Sequence, residues 1–386
     1  MSALSPSVQA TQAAAVGLAA RWLGEAKRPV CIAGRGVVWA GATRELLKLC
    51  DSVPRLRVAS TPAAKGVFPE SDPRALGVWG FSGHEIAKKS VEESDVLMIV
   101  GSRMHEPSSA SWHPRLDRGR VIRIDLDPFR LRAVGDEQIA LLGDAAALLE
   151  SMCSAAAKLS PRTIRGVTRS GSSIPRFSGP RVENCLVKPQ GLFEVLNRLA
   201  SKIPISADAG NAMCWAIEWL ERSTPRQFQV SVDWGTMGFA LPAAIGMLLA
   251  RPNSPAIALT GDGSLAMAGG DLHTAVELEV PLIVVALNDG GAGMVRAGSE
   301  AWFGPGQVPD PDYRHRMNLS ALARAFGAHG DVITSEEQFE ASLVEALARR
   351  TPTLLDVQVD PKEVPNAVRT RVHSLAAVPR EGGGMC

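Results

Sequence analysis

Two aspartates beside glycine turns are the residues of this sequence best suited to chemistry. Asp262 lies in GDGS (261–264), after the apolar run SPAIALT, and Asp289 lies in NDGG (288–291), after VPLIVVAL. If each run is a strand of one parallel sheet, a right-handed crossover puts both turns at strand carboxyl ends. That edge is where open α/β sheets bind ligands. The two carboxylates offer the hard oxygen donors that Mg²⁺ or Ca²⁺ requires. The glycines let backbone N–H groups approach an anion, and the helix starting near Ser264 points its positive end at the same place. A divalent cation held between two acids and a diphosphate is the simplest chemistry of that set. A GDG triplet alone is an ordinary turn; its pairing with Asn288-Asp289, each motif after a strand, carries the weight.

The turns need elements to position them. PQGLFEVLNRLA (189–200) reads as a helix, IPISADAGN (203–211) as a strand ending in glycine, and GFALPAAIGMLLA (238–250) as a helix of small apolar residues. SPAIALTGDGS (254–264) is a buried strand and turn, LAMAGGDLHTAVEL (265–278) a helix, and VPLIVVALNDGG (280–291) the next strand. RHRMNLSALARAFGA (314–328) is helical and TPTLLDVQVDP (351–361) is a last strand. Upstream, 12–27 has helical spacing, PVCIAGRGV (29–37) reads as a strand and tight turn, and ATRELLKLC (42–50) as a helix. RLRVAS (55–60), DVLMIVGS (95–102) and RVIRIDLDP (120–128) are further strands. Strands alternating with helices imply parallel sheets covered on both faces. The expected fold is α/β, with two doubly wound parallel-sheet domains. The expected boundaries are a Rossmann-like domain over 1–157, an aperiodic Pro/Gly/Ser/Arg-rich linker over 158–185, and a second domain over 186–386. The terminal GGGMC should be loose.

Composition narrows the partners. The chain has 386 residues, 46% hydrophobic and 21% charged, with a formal net charge of +1. That suits a soluble globular protein and gives no electrostatic case for nucleic acid or an anionic membrane. No run of about 20 apolar residues spans a membrane, and the N-terminus lacks the pattern of a signal peptide. The six cysteines have no zinc-like or CxxC spacing and read as reduced, mostly buried thiols of a cytoplasmic protein.

The segment 261–291 resembles the thiamine-diphosphate (ThDP) enzymes, acetolactate synthase most closely. The resemblance implies that Asp262, Asp289 and the Gly291 carbonyl hold Mg²⁺, which in turn holds the cofactor's diphosphate. It implies that the GDGS turn, through Gly261, Gly263 and Ser264, meets diphosphate oxygens. GTMGFALPAAIG (235–246) is similar to the family's GAMGFGLPAAIG, in which a methionine wedges the cofactor into a bent shape. Here that residue is Met237, and the Gly235 carbonyl would accept from the aminopyrimidine. GMV (293–295) places Met294 near the thiazolium, and ADAGNAMCW (207–215) resembles a diphosphate loop acting through Gly210 and Asn211. AKRPVCIAGRGV (26–37), TPAAKGVFPESDP (61–73), ESDVLMIVGSR (93–103) and VIRIDLDP (121–128) resemble the family's middle domain.

The match does not extend to the family's pyrimidine-binding domain, which carries the glutamate that activates the cofactor. The expectation is therefore a split enzyme. A separate pyrimidine-domain subunit supplies that glutamate, and this chain forms a homodimer within a hetero-oligomer. On the acceptor side the sequence departs from acetolactate synthases. Gly298 stands where they have a tryptophan, His105, Glu106 and Pro107 where they have Asp-Asp-Arg, and Asn211-Ala212 where they have Gln-His. The implied reaction is 2-oxo acid decarboxylation, with carboligation open and acetolactate not specified.

Other features read more blandly. GRG (34–36), Arg103 and Asp125 sit where some relatives hold FAD or ADP, but a short glycine turn is a weak signal and an empty inherited groove is the simpler reading. His273 reads as a packed or capping residue, Asp271 and Glu277 as solvated, and the eight Trp as core or interface material. His84 and His105 are weak candidates for substrate contact, and Met237 without its motif would be a core residue. A non-catalytic ThDP-binding relative serving regulation or assembly is the alternative function. A sirtuin-like nucleotide binder, read from the first domain alone, leaves 261–294 unexplained.

Overall fold

The computed structural model describes residues 6–131, 137–159, 186–252, 254–304, 307 and 311–376. They form two compact units: Met1–Arg176 with Glu221–Phe228, and Phe177–Leu220 with Gln229–Cys386. Each is an α/β unit with one six-stranded sheet.

The first sheet contains β1 (Pro29–Ala33), β2 (Arg57–Ser60), β3 (Ala75–Val78), β4 (Val96–Val100), β5 (Arg120–Asp125) and β6 (Gln138–Leu142), in the order 3-2-1-4-5-6 with parallel pairing throughout. This is the doubly wound dinucleotide-fold order. Central strands β1 (PVCIA) and β4 (VLMIV) are buried at every position, because helices cover both faces. Edge strand β6 alternates buried and open residues. The helix over Pro6–Glu25 packs with the helix over Ala145–Leu159. The latter runs through the expected start of the linker, and the rest of that linker lies outside the described residues, as do GGGMC, Cys185 and Cys386. Cys31, Cys50, Cys153 and Cys214 are free thiols. Among the described residues no helix is long and apolar enough to cross a membrane.

The GRG segment is not the tight turn expected after β1. A five-residue helix starts at Arg35, and a Cβ on Gly36 would stand 2.6 Å from Gly101 Cα. These glycines let the ends of β1 and β4 cross closely, which is a packing reason for them and lends no support to FAD or ADP binding. His84 is likewise structural: its Nδ1 accepts from Val78 N at 2.9 Å. His105 Nδ1 lies 2.6 Å from Ser108 Oγ.

The second sheet contains β7 (Ile205–Ala207), β8 (Phe228–Val230), β9 (Ala256–Gly261), β10 (Leu282–Asn288), β11 (His329–Ile333) and β12 (Thr353–Gln358), in the order 11-12-10-9-7-8. β7–β9, β9–β10, β10–β12 and β11–β12 pair in parallel. LIVVALN of β10 is buried throughout, and polar β11 forms an edge. The chain leaves β7 for β8 on one side and returns to β9 on the other, so the sheet's switch point lies between β7 and β9. Their carboxyl ends, with that of β10, frame the crevice where such sheets bind ligands.

The helix expected over 265–278 is two segments, Asp262–Ala268 and Asp271–Glu277, meeting at Gly269-Gly270. Asp262 is the first helical residue. His273 is exposed with its ring near Phe326, and Glu277 is exposed.

Candidate functional site: two carboxylates at the switch crevice

The site grows from three strand ends. β7 runs into Gly210, whose φ of 110° and ψ of −160° suit a residue without a Cβ, and a helix begins at Asn211. β9 delivers Asp262, and β10 delivers Asn288-Asp289. Register brings the last two together, since Leu287 of β10 pairs with Gly261 of β9.

Asp262 is 3% exposed. Its Oδ1 accepts from Gly263 N at 2.7 Å and its Oδ2 from Gly290 N at 3.0 Å. The second bond crosses from one strand-end turn to the other. Burial first, and the Asp289 charge second, push the Asp262 carboxyl up to about 6, against the pull of the N–H groups of Gly263, Gly290 and Gly291. Burial also raises Asp289, opposed mainly by Arg296. Two like charges held in a low-dielectric wall favour a proton or a cation between them.

All residues nominated from the sequence border one cavity of about 290 Å³: Gly210, Asn211, Gly235, Met237, Gly261, Asp262, Gly263, Ser264, Asp289, Gly291 and Met294. Met237 is 46% exposed and stands on the wall, not in the core. Asn211 Oδ1 is buried with no hydrogen-bond partner among the described residues, an open acceptor of the kind that a ligand or metal-bound water satisfies. A methyl on Gly293 would overlap the Asp289 carboxylate, so glycine is needed there for the acid to reach its place. Among the described residues no three His, Cys, Asp or Glu side chains cluster as a metal site. The donors on offer are two carboxylates and main-chain oxygens, a hard set that fits Mg²⁺ bridged to a diphosphate.

Several participants escaped the sequence reading. Asp208, at the end of β7, is 1% exposed. It accepts from Phe239 N (2.6 Å), Ala240 N (3.0 Å) and Thr260 Oγ1 (2.7 Å), so one carboxylate pins the Met237 segment to β9. Arg296, on the helix over Gly293–Phe303, comes within 3.7 Å of Asp289 and pairs more closely with Asp312. Tyr313 lines the cavity. Only Asp208 had a local signal, an acid at the end of a predicted strand; the other two reach the site through tertiary contacts.

Comparison with known proteins places this geometry. A family model described as "Thiamine pyrophosphate enzyme, central domain" matches residues 16–152, and one described as "Thiamine pyrophosphate enzyme, C-terminal TPP binding domain" matches residues 208–357. The chain is 32% identical over 354 residues to a "Probable acetolactate synthase large subunit" of Methanocaldococcus jannaschii, covering 89% of this chain and 60% of the relative. It is 31% identical to the "Acetolactate synthase large subunit" of Parasynechococcus marenigrum, covering 92% and 57%. With the "Acetolactate synthase isozyme 2 large subunit" of Escherichia coli the identity is 29%, covering 91% and 63%. The chain thus spans about 60% of the length of these relatives. Two consecutive domain matches and this run of relatives, in agreement with the sheet order and the strand-end acids, mean that the chain belongs to the ThDP-dependent, acetolactate synthase-like enzyme family.

Proposed function

We propose that this chain supplies the metal and diphosphate half of a ThDP site that acts on a 2-oxo acid. The observation that carries the reading is the pair of Asp262, buried, and Asp289, partly buried, at the ends of β9 and β10, with Asp262 Oδ2 accepting from Gly290 N in the turn that holds Asp289. In this reading both carboxylates and the Gly291 carbonyl hold Mg²⁺. Gly291 is suited to that, because the neighbouring segment bonds to Gly290 and Ala292 on either side of it. Gly261, Gly263, Ser264, Gly210 and Asn211 surround the diphosphate. Met237 would support the cofactor from the cavity wall, the Gly235 carbonyl would accept from its aminopyrimidine, Met294 would pack beside its thiazolium, and Asp208 keeps the Met237 segment in place. Thiamine diphosphate, when bound, supplies a nucleophilic thiazolium carbon and a sink for the electrons released on decarboxylation.

No glutamate is among the described residues that line the cavity. In this reading the carboxylate that activates the pyrimidine ring is assigned to a separate pyrimidine-domain subunit. The relatives' designation as large subunits is in keeping with a hetero-oligomer, within which this chain forms a homodimer. The substrate is a 2-oxo acid, and carboligation is the further step such a site can support. The test is turnover of 2-oxo acids by the purified chain with Mg²⁺ and ThDP, with and without the complementary subunit. The expected result is decarboxylation only in the mixture; turnover by the chain alone overturns the split.

The Asp289–Arg296 contact at 3.7 Å favours a second reading, a relative that binds ThDP for regulation or assembly without turnover. Metal-dependent cofactor binding with no turnover in the full mixture would support it.

A further inference from the structure

A short strap crosses the Asp289 turn. Ala292 N donates to Pro311 O at 3.1 Å, and Tyr313 N donates to Gly290 O at 2.9 Å, with Gly291 and Asp312 paired as an isolated antiparallel bridge. Arg296 fastens the strap through Asp312 and is itself fixed by donating to Pro361 O at 2.8 Å. The strap presents Tyr313 to the cavity wall. The Tyr313 hydroxyl lies 3.1 Å from where a Cβ on Gly263 would stand, and the Met237 methyl is 3.4 Å from the same point. The hydroxyl is therefore beside the turn assigned to the diphosphate, and the Met237 methyl approaches the same glycine.

We infer that Tyr313 is a cofactor-binding residue whose hydroxyl donates a hydrogen bond to a diphosphate oxygen, facing the GDGS turn. The inference rests on the reading of this cavity as a Mg²⁺–ThDP site. A neutral O–H suits the position: it adds a donor for the anion without a positive charge that would compete with the metal for Asp262 and Asp289. Hydrogen bonds to charged groups are the stronger ones.

Tyr313 is the chain's single tyrosine, so uniform 3-fluorotyrosine labelling reports on this residue alone. The full chain is titrated with Mg²⁺ and inorganic pyrophosphate, which probes the diphosphate half without any partner, and then with Mg²⁺ and ThDP. Tyr313→Phe should weaken both by a common factor of about ten or more, with its thermal midpoint unchanged. The fluorine resonance should move with Mg²⁺–pyrophosphate and stay in place with unphosphorylated thiamine. If the wild type binds and Tyr313→Phe binds equally or more tightly, or the resonance does not move, the assignment of Tyr313 is wrong and the site reading survives. If the wild type binds neither ligand while Mg²⁺ is saturating, the site reading fails first.

Discussion

Replacing Asp262 by asparagine should stabilise the metal-free protein at neutral pH and abolish its response to Mg²⁺. The carboxyl sits at about 6, against about 4 for an exposed aspartate, a difference that opposes ionisation by about 3 kcal/mol at neutral pH. Because the folded value is raised, the favourable contribution belongs to the protonated form. It is complete below about pH 4 and is lost as pH rises through about 6. Asparagine removes the charge but keeps only one of the two acceptors now serving Gly263 N and Gly290 N, which costs about 1 kcal/mol. The net gain near pH 7.5 is about 2 kcal/mol, or roughly 4–8 °C in midpoint for a domain of this size. At pH 4 the gain should vanish or reverse. Thermal scans in EDTA at both pH values measure it. Adding Mg²⁺ and ThDP should raise the wild-type midpoint and leave the variant unmoved. A variant less stable than the wild type at pH 7.5 in EDTA, or a difference independent of pH, would refute the argument that the site stores charge for a cation.

Gly293→Ala pushes a methyl into the Asp289 carboxylate and should weaken Mg²⁺-dependent ThDP binding by about tenfold or more, as calorimetry would record. Asp208→Ala strips the acceptor from Phe239 N, Ala240 N and Thr260 Oγ1; it should cost about 2–4 kcal/mol in chemical denaturation and lower ThDP affinity as the Met237 segment loosens. In the first unit, buried Glu70 binds Lys65 Nζ at 2.8 Å and Arg222 N at 2.7 Å. Glu70→Gln takes a charge from beside two buried cations and should destabilise that unit by about 3 kcal/mol or more, measured the same way.

The parts legible in the sequence were those with a local signature. Buried runs such as LIVVALN and VLMIV announce strands covered on both faces, and glycine turns after them announce strand ends. The edge strands β3 and β6 carry little signal, since four residues including a glycine (ALGV) or five (QIALL) are too few to set a strand's period apart. The helices over Asn211–Trp219, Gly293–Phe303 and Glu336–Ala348 are not evident from the sequence pattern. Asp262 and Asp289 were legible as a pair because each follows a strand. The strap, Arg296 and Tyr313 were not, because their positions depend on hydrogen bonds between segments with no shared pattern. The glycines of GRG look alike under a nucleotide or a packing explanation, and only the approach of Gly101 to Gly36 distinguishes them.

Asp262 and Asp289 are proposed to hold one divalent cation together. Crystals of the chain, with any complementary subunit, grown with ThDP and Mn²⁺ in place of Mg²⁺, test it through the anomalous difference map. A single peak in contact with a carboxylate oxygen from each residue and with the diphosphate is expected. A peak elsewhere, or bound ThDP with Arg296 still against Asp289 and no metal, would contradict it.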